Sequence, residues 1–116
     1  MGTASEQMLI VWSNFPDQQS AELAAQTLIA ARAAACVNLL APVQSWYEWE
    51  GKVERATEIP LMLKTTARAY PQVETLLRAS HPYKLPEIVA VPVTQGLPEY
   101  LDWVARMTIP PSPVIV

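Results

Sequence analysis

At 116 residues, with a formal charge of −3 and no run of Lys or Arg, the chain has room for one compact domain. It lacks the basic patch with which proteins neutralise nucleic-acid phosphates. Half of it is apolar and only 16% is charged, well under the roughly 25% usual in soluble domains, so part of the apolar area is expected at a protein interface. One cysteine, Cys36, rules out an internal disulfide and fits a reducing compartment. No apolar run approaches the ~20 residues that cross a bilayer. Residues 1–7 lack the basic and apolar regions of a signal peptide and are expected to be a loose N-terminus. The expected location is cytoplasmic, with no membrane partner.

Met8 to Trp12, with Leu9, Ile10 and Val11, predicts a buried strand, broken by Asn14-Phe15-Pro16-Asp17. Asp17 is a candidate N-cap for a helix in which Ala21, Ala24, Ala25, Leu28 and Ile29 recur at helical spacing, ending near Ala33. Ala35 to Leu40 is the next strand. Pro42 interrupts it, and Val43 to Glu50 continues extended, with Val43, Ser45, Tyr47 and Trp49 on one face. Glu50-Gly51 predicts a tight turn, and Val53 to Thr65 returns as a strand. Pro60 inside that run has no N–H for a ladder, which predicts an edge or a bulge. The resulting hairpin is longer than the domain's own core requires. With Trp46 and Trp49 near its tip, it suits an arm for a neighbouring subunit.

Tyr70, Val73, Leu76 and Leu77 predict a second helix, stopped at His81-Pro82. Glu87 to Thr94 predicts a fourth strand, broken by Gly96. Pro98 opens a third helix with Leu97, Leu101, Val104 and Ala105 on one face. Residues 108–116 form a proline-rich tail. The order β-α-β-β-α-β plus a helix predicts an α+β, ferredoxin-like sandwich over residues 8–107. Its helices lie on one face of an antiparallel sheet, which leaves the other face to be covered by oligomerisation.

Several segments resemble the divalent-cation tolerance protein CutA family. They are Ala35-Cys36-Val37-Asn38, Ser45 through Lys52, Leu63-Lys64-Thr65, His81-Pro82-Tyr83 with Pro86-Glu87-Ile88, and Gly96 with Tyr100-Leu101-Asp102-Trp103. They occur in family order over roughly residues 8 to 107. The resemblance implies a homotrimer whose long hairpins extend one subunit's sheet into the next, an architecture akin to PII-type signalling proteins, and a role in tolerance of divalent metal ions. Some members of the family bind copper, through a cysteine at the end of the first strand and a His-His doublet before Pro-Tyr. The matching positions here are Ser13 and Ser80, and only His81 remains. Copper selects soft or imidazole ligands over a hydroxyl, so the expected copper contact is weak.

The candidate residues each carry two readings. His81 is a metal contact helped by Glu87, Glu58 or Asp102, or it caps the second helix as an imidazolium. Cys36 is a ligand or redox sensor, or a small buried thiol. Trp46, Tyr47 and Trp49 line a ligand pocket or anchor an interface. Lys52, Lys64 and Lys84, with Tyr83 nearby, hold an anion in an intersubunit cleft, or they are solvated lysines. No catalytic triad, glycine-rich phosphate loop or zinc-spaced Cys/His cluster is present. The sequence therefore predicts a non-enzymatic metal-response protein. The alternative is a PII-like regulatory module binding a small anion or a partner protein.

Overall fold

The computed structural model describes residues 6–108. In chain order the elements are β1 (Met8–Phe15), α1 (Gln18–Ala30), β2 (Cys36–Leu39), β3 (Val43–Trp49), β4 (Lys52–Thr66), α2 (Tyr70–Ser80), β5 (Val89–Pro92) and α3 (Pro98–Met107). The strands form one antiparallel sheet in the order β2-β4-β1-β5, with β3 paired along the outer half of β4. This is the ferredoxin-like arrangement the sequence predicts. The proposed tail lies outside the described residues, except for Thr108. So does the loose N-terminus up to residue 5. Gln7 is tied in: its side chain donates to the Val93 carbonyl at 2.7 Å, and its own carbonyl accepts from the Ala67 N–H at 2.9 Å.

Alternation along the strands places the core. Val11 and Phe15 of β1 and Ile59, Leu61 and Leu63 of β4 share the face under α1 and α2, where Ala21, Ala24, Leu28, Val73 and Leu77 meet them. Helix α1 starts where the Asp17 carboxylate accepts from the Ser20 N–H at 2.8 Å. It stops at Ala30 rather than near Ala33. The Ala33 N–H folds back to the Leu28 carbonyl, and Arg32 takes the left-handed conformation (φ 57°) usual after a helix end. Thr65 then donates to the Ala33 carbonyl at 2.6 Å and fixes this exit to β4.

Two expectations about the strands are corrected. Pro60 lies inside the sheet, opposite Asn14 of β1, not at an edge. Its carbonyl accepts from the Leu40 N–H, so its missing N–H points to the same side, into the break between β2 and β3 where no ladder partner is needed. The fourth strand is only Val89–Pro92, because those four residues alone pair with Leu9–Trp12. Glu87 is thereby left in the loop before β5. Leu97 is not on the apolar face of α3; it is the extended residue before the helix and is exposed.

The hairpin turns at Glu50 (φ 52°) and Gly51 (φ 81°), the pair of positive angles a two-residue turn requires. Seven residues of β4, Lys52–Glu58, pair with β3 alone and overhang the core by roughly 23 Å at strand spacing. The radius of gyration is 15.3 Å, against about 13 Å for a compact chain of this size. On the sheet face away from α1 and α2, α3 closes one end. There Met8, Thr66 and Val104 are buried, and the Thr108 hydroxyl lies 3.5 Å from that of Thr66. Farther along that face Ile10, Trp12 and Met62 are half-buried, and Val89 and Val91 are exposed.

Candidate functional site

The site begins with the end of α2. His81 is its C-cap, and its N–H closes on the Leu77 carbonyl. The proline that follows forbids another helical turn. The ring turns inward and stacks on Phe15, with centroids 4.1 Å apart and planes 26° apart. Its Nε2 lies 2.8 Å from the Asn14 carbonyl, and the Tyr83 N–H lies 3.1 Å from Nδ1. A carbonyl only accepts and a backbone N–H only donates, so Nε2 carries the proton and Nδ1 is the acceptor. Burial pushes this imidazole below its ordinary pKa, against the pull of the Asn14 carbonyl and the Glu58 charge. The expected imidazolium cap is corrected: the ring is neutral and faces the core. Both nitrogens are committed, so a metal would have to displace one of these bonds.

Asn14 carries the next step. It is the next-to-last residue of β1, on the face opposite Phe15, and its side-chain NH2 lies 3.4 Å from a carboxylate oxygen of Glu58 and 3.4 Å from one of Glu87. Glu58 stands on β4 opposite Val43 and is only 8% exposed. The Tyr83 hydroxyl also bonds to Glu58. Burial first, then this hydrogen bond and charge, push the phenol up to about 12. The loop after α2 and the base of the hairpin thus face each other across a cleft of about 600 Å³. Ser45, Tyr47 and Trp49, one face of β3, form one wall with Trp46; Tyr83, Lys84, Leu85 and Glu87 form the other. Asn14 and Glu58 lie between them.

The structure brings together Trp46, Tyr47, Trp49, Glu58, Tyr83, Lys84 and Glu87 of the residues named from sequence. It does not bring together the three lysines. Lys84 is on the cleft, Lys52 pairs with Trp49 at the turn, and Lys64 lies beside Ile10 and Cys36 within the sheet. Trp46 is 66% exposed and lies under the Arg55 guanidinium at 5.5 Å. Cys36 is half-buried rather than buried, because its strand face is the one away from α1 and α2, which α3 covers only at one end; its Sγ is 3.9 Å from Asn38 Oδ1. Asp102 lies on α3, away from these contacts. From sequence, Asn14 reads only as part of the break after the first strand. The available signal was a carboxamide in strand register with Trp12, at the end of an otherwise apolar run.

The copper ligand set does not fit these residues. Ser13 is fully buried with an unpartnered hydroxyl, Ser80 is exposed and bonds back to the Leu76 carbonyl, and His81 is engaged at both nitrogens. Among the described residues, no group of three or more His, Cys, Asp or Glu side chains is arranged to hold a metal ion. Nor is any helix there long and apolar enough to cross a membrane.

This architecture is shared. The family described as CutA1 divalent ion tolerance protein matches residues 9–107. The divalent-cation tolerance protein CutA of Thermus thermophilus is 40% identical over 99 residues, covering 85% of this chain and 96% of that protein. Protein CutA of Mus musculus is 41% identical over 93 residues, 80% of this chain; the matched region spans 52% of the mouse protein. The crystal structure of CutA from Xylella fastidiosa aligns with a TM-score of 0.87 at 43% identity, covering 89% of this chain and 99% of that one. The chain belongs to the CutA1 divalent ion tolerance family.

Proposed function

We propose that this chain works, without catalysis, in the cell's response to divalent metal ions, as a cytoplasmic homotrimer with a weak metal contact at the cleft. One observation carries the metal reading. In a member of a divalent-ion tolerance family, the carboxylates of Glu58 and Glu87 come to the same Asn14 amide, one of them buried. Carboxylate oxygens suit hard divalent ions, which would replace the Asn14 NH2 donor between them. His81 would hold the loop that carries Glu87 rather than bind the ion itself. The trimer is supported by the hairpin overhang, by the half-open sheet face and by the exposed Trp46 and Trp49. The cytoplasm is supported by the unpaired cysteine alone. The anion-binding alternative has a single lysine on the cleft against two carboxylates.

The test is calorimetric titration of Mn²⁺ and Cu²⁺, with mass recorded by light scattering on the same samples. The expected result is the mass of three chains and dissociation constants on the order of 10⁻⁴ M, as for oxygen sites with few carboxylates. Binding should be lost in Glu58→Gln/Glu87→Gln and weakened, but not lost, in His81→Phe, which removes the bond that orients the Tyr83 loop. Tight copper binding that vanishes in His81→Phe would refute the assignment to the carboxylates. In the same apparatus, Trp46→Ala and Trp49→Ala should dissociate on dilution at concentrations at least about tenfold higher than wild type. Unchanged dissociation would remove the hairpin from the interface.

A further inference from the structure

The cleft holds a charge imbalance that its own residues do not settle. Glu58 is removed from water, and the groups brought to its carboxylate, the Asn14 amide and the Tyr83 hydroxyl, are both neutral. The Glu87 carboxylate approaches the same amide. A buried carboxylate is costly unless an opposite charge meets it. Lys84 is the one basic side chain on the cleft, and it is exposed.

The surroundings of these carboxylates are aromatic: Tyr47 and Trp49 on one side, Tyr83 on the other. Aromatic faces attract cations. A bare divalent ion gains little from them, because it needs oxygen atoms to replace its water. A cation that carries carbon uses both the rings and the carboxylates. We infer that the cleft is a site for an organic cation, a guanidinium or alkylammonium group, packed against Tyr47, Trp49 and Tyr83 with its N–H groups on Glu58 and Glu87. The volume of about 600 Å³ suits a small organic molecule or one long side chain and far exceeds a single ion. The inference rests on the cleft being a cation site and changes the kind of cation it selects.

The experiment follows tryptophan fluorescence and amide chemical shifts of the assembled protein during titration with arginine amide. Citrulline amide, which has nearly the same shape without the charge, is the control. Arginine amide should saturate, moving the Tyr83 and Asn14 amides, and citrulline amide should bind at least about tenfold more weakly. Glu87→Gln, at an exposed position, should weaken arginine amide by roughly tenfold. Glu58→Gln should do the same, its fold checked by circular dichroism. Equal binding of the two amides, or none by a well-folded oligomer, overturns the inference. Competition with Mn²⁺ separates it from the metal reading. Mn²⁺ binding that arginine amide cannot displace leaves only the metal site, whereas arginine binding without Mn²⁺ binding leaves only the organic one. An N-acetyl-Gly-Arg-Gly amide peptide binding at least about tenfold more tightly than arginine amide identifies a protein side chain as the source. Equal affinities identify a free small molecule.

Discussion

Replacing His81 by alanine should destabilise the fold even when no metal is present. The ring stacks on Phe15 at 4.1 Å, which is worth about 1 kcal/mol beyond its area. Its loss strands the Asn14 carbonyl and the Tyr83 N–H, each costing about 1 kcal/mol at a site that water partly reaches. The sum is about 3 kcal/mol. His81→Phe keeps the stack and loses both bonds, so it should cost about 2 kcal/mol. Urea unfolding at fixed protein concentration, with a chelator present, measures both. Fixing the concentration matters because assembly contributes to apparent stability. The histidine also sets a pH dependence. Burial lowers its folded pKa below the unfolded 6.5, so the folded state binds the proton less well. Stability held above pH 6.5 is therefore lost as pH falls from 6.5 to the lowered value, and this component should be absent in His81→Phe. An alanine variant within about 0.5 kcal/mol of wild type would refute the structural role.

Two further predictions concern buried oxygens. Tyr83 is raised to about 12 by burial and then Glu58, and Tyr70 is raised by burial and then Glu74. In a spectrophotometric titration, two of the four tyrosines should ionise late, and stability should fall as pH rises past 10, where only the unfolded phenols lose protons readily. All four titrating together near 10 would contradict the placement of Tyr83. The Ser13 hydroxyl is buried without a partner, so Ser13→Ala should stabilise by about 1 kcal/mol in the same urea assay. A loss of stability would mean that the hydroxyl has a partner.

Local chemistry made most of the fold legible. A short apolar run located β1, alternating apolar residues located β4, Asp17 located the start of α1, and Glu50-Gly51 located the hairpin turn, because each acts on its own few residues. Pro60 misled because whether a missing N–H matters depends on the strand opposite, and that partner changes at Leu40. The cleft was only partly legible. Tyr83 and Glu87 stood out in a proline-fixed segment, but Asn14 meets Glu58 across 44 positions and Glu87 across 73. No periodicity reports such a meeting. It follows from the register of β1 on β4, which places Asn14 opposite Pro60 and within reach of Glu58.

Asn14 divides two kinds of work between its backbone and its side chain. Its carbonyl holds the His81 ring, and its amide meets the two carboxylates. The His81 ring in turn holds the Tyr83 N–H and so sets where the Tyr83 hydroxyl meets Glu58. The histidine thereby shapes the cleft without lining it. An alanine substitution at His81 that abolished ligand binding would look like the loss of a metal ligand, yet the same result follows from a displaced Tyr83. His81→Phe alone is ambiguous for the same reason, since it drops the bond that orients the loop. The discriminating pair is His81→Phe with Tyr83→Phe, which retains the ring but removes its hydrogen bond to Glu58. If His81 only positions Tyr83, the double variant should bind no worse than the weaker single variant, because both act on one contact. If His81 is itself a ligand, the two losses should add.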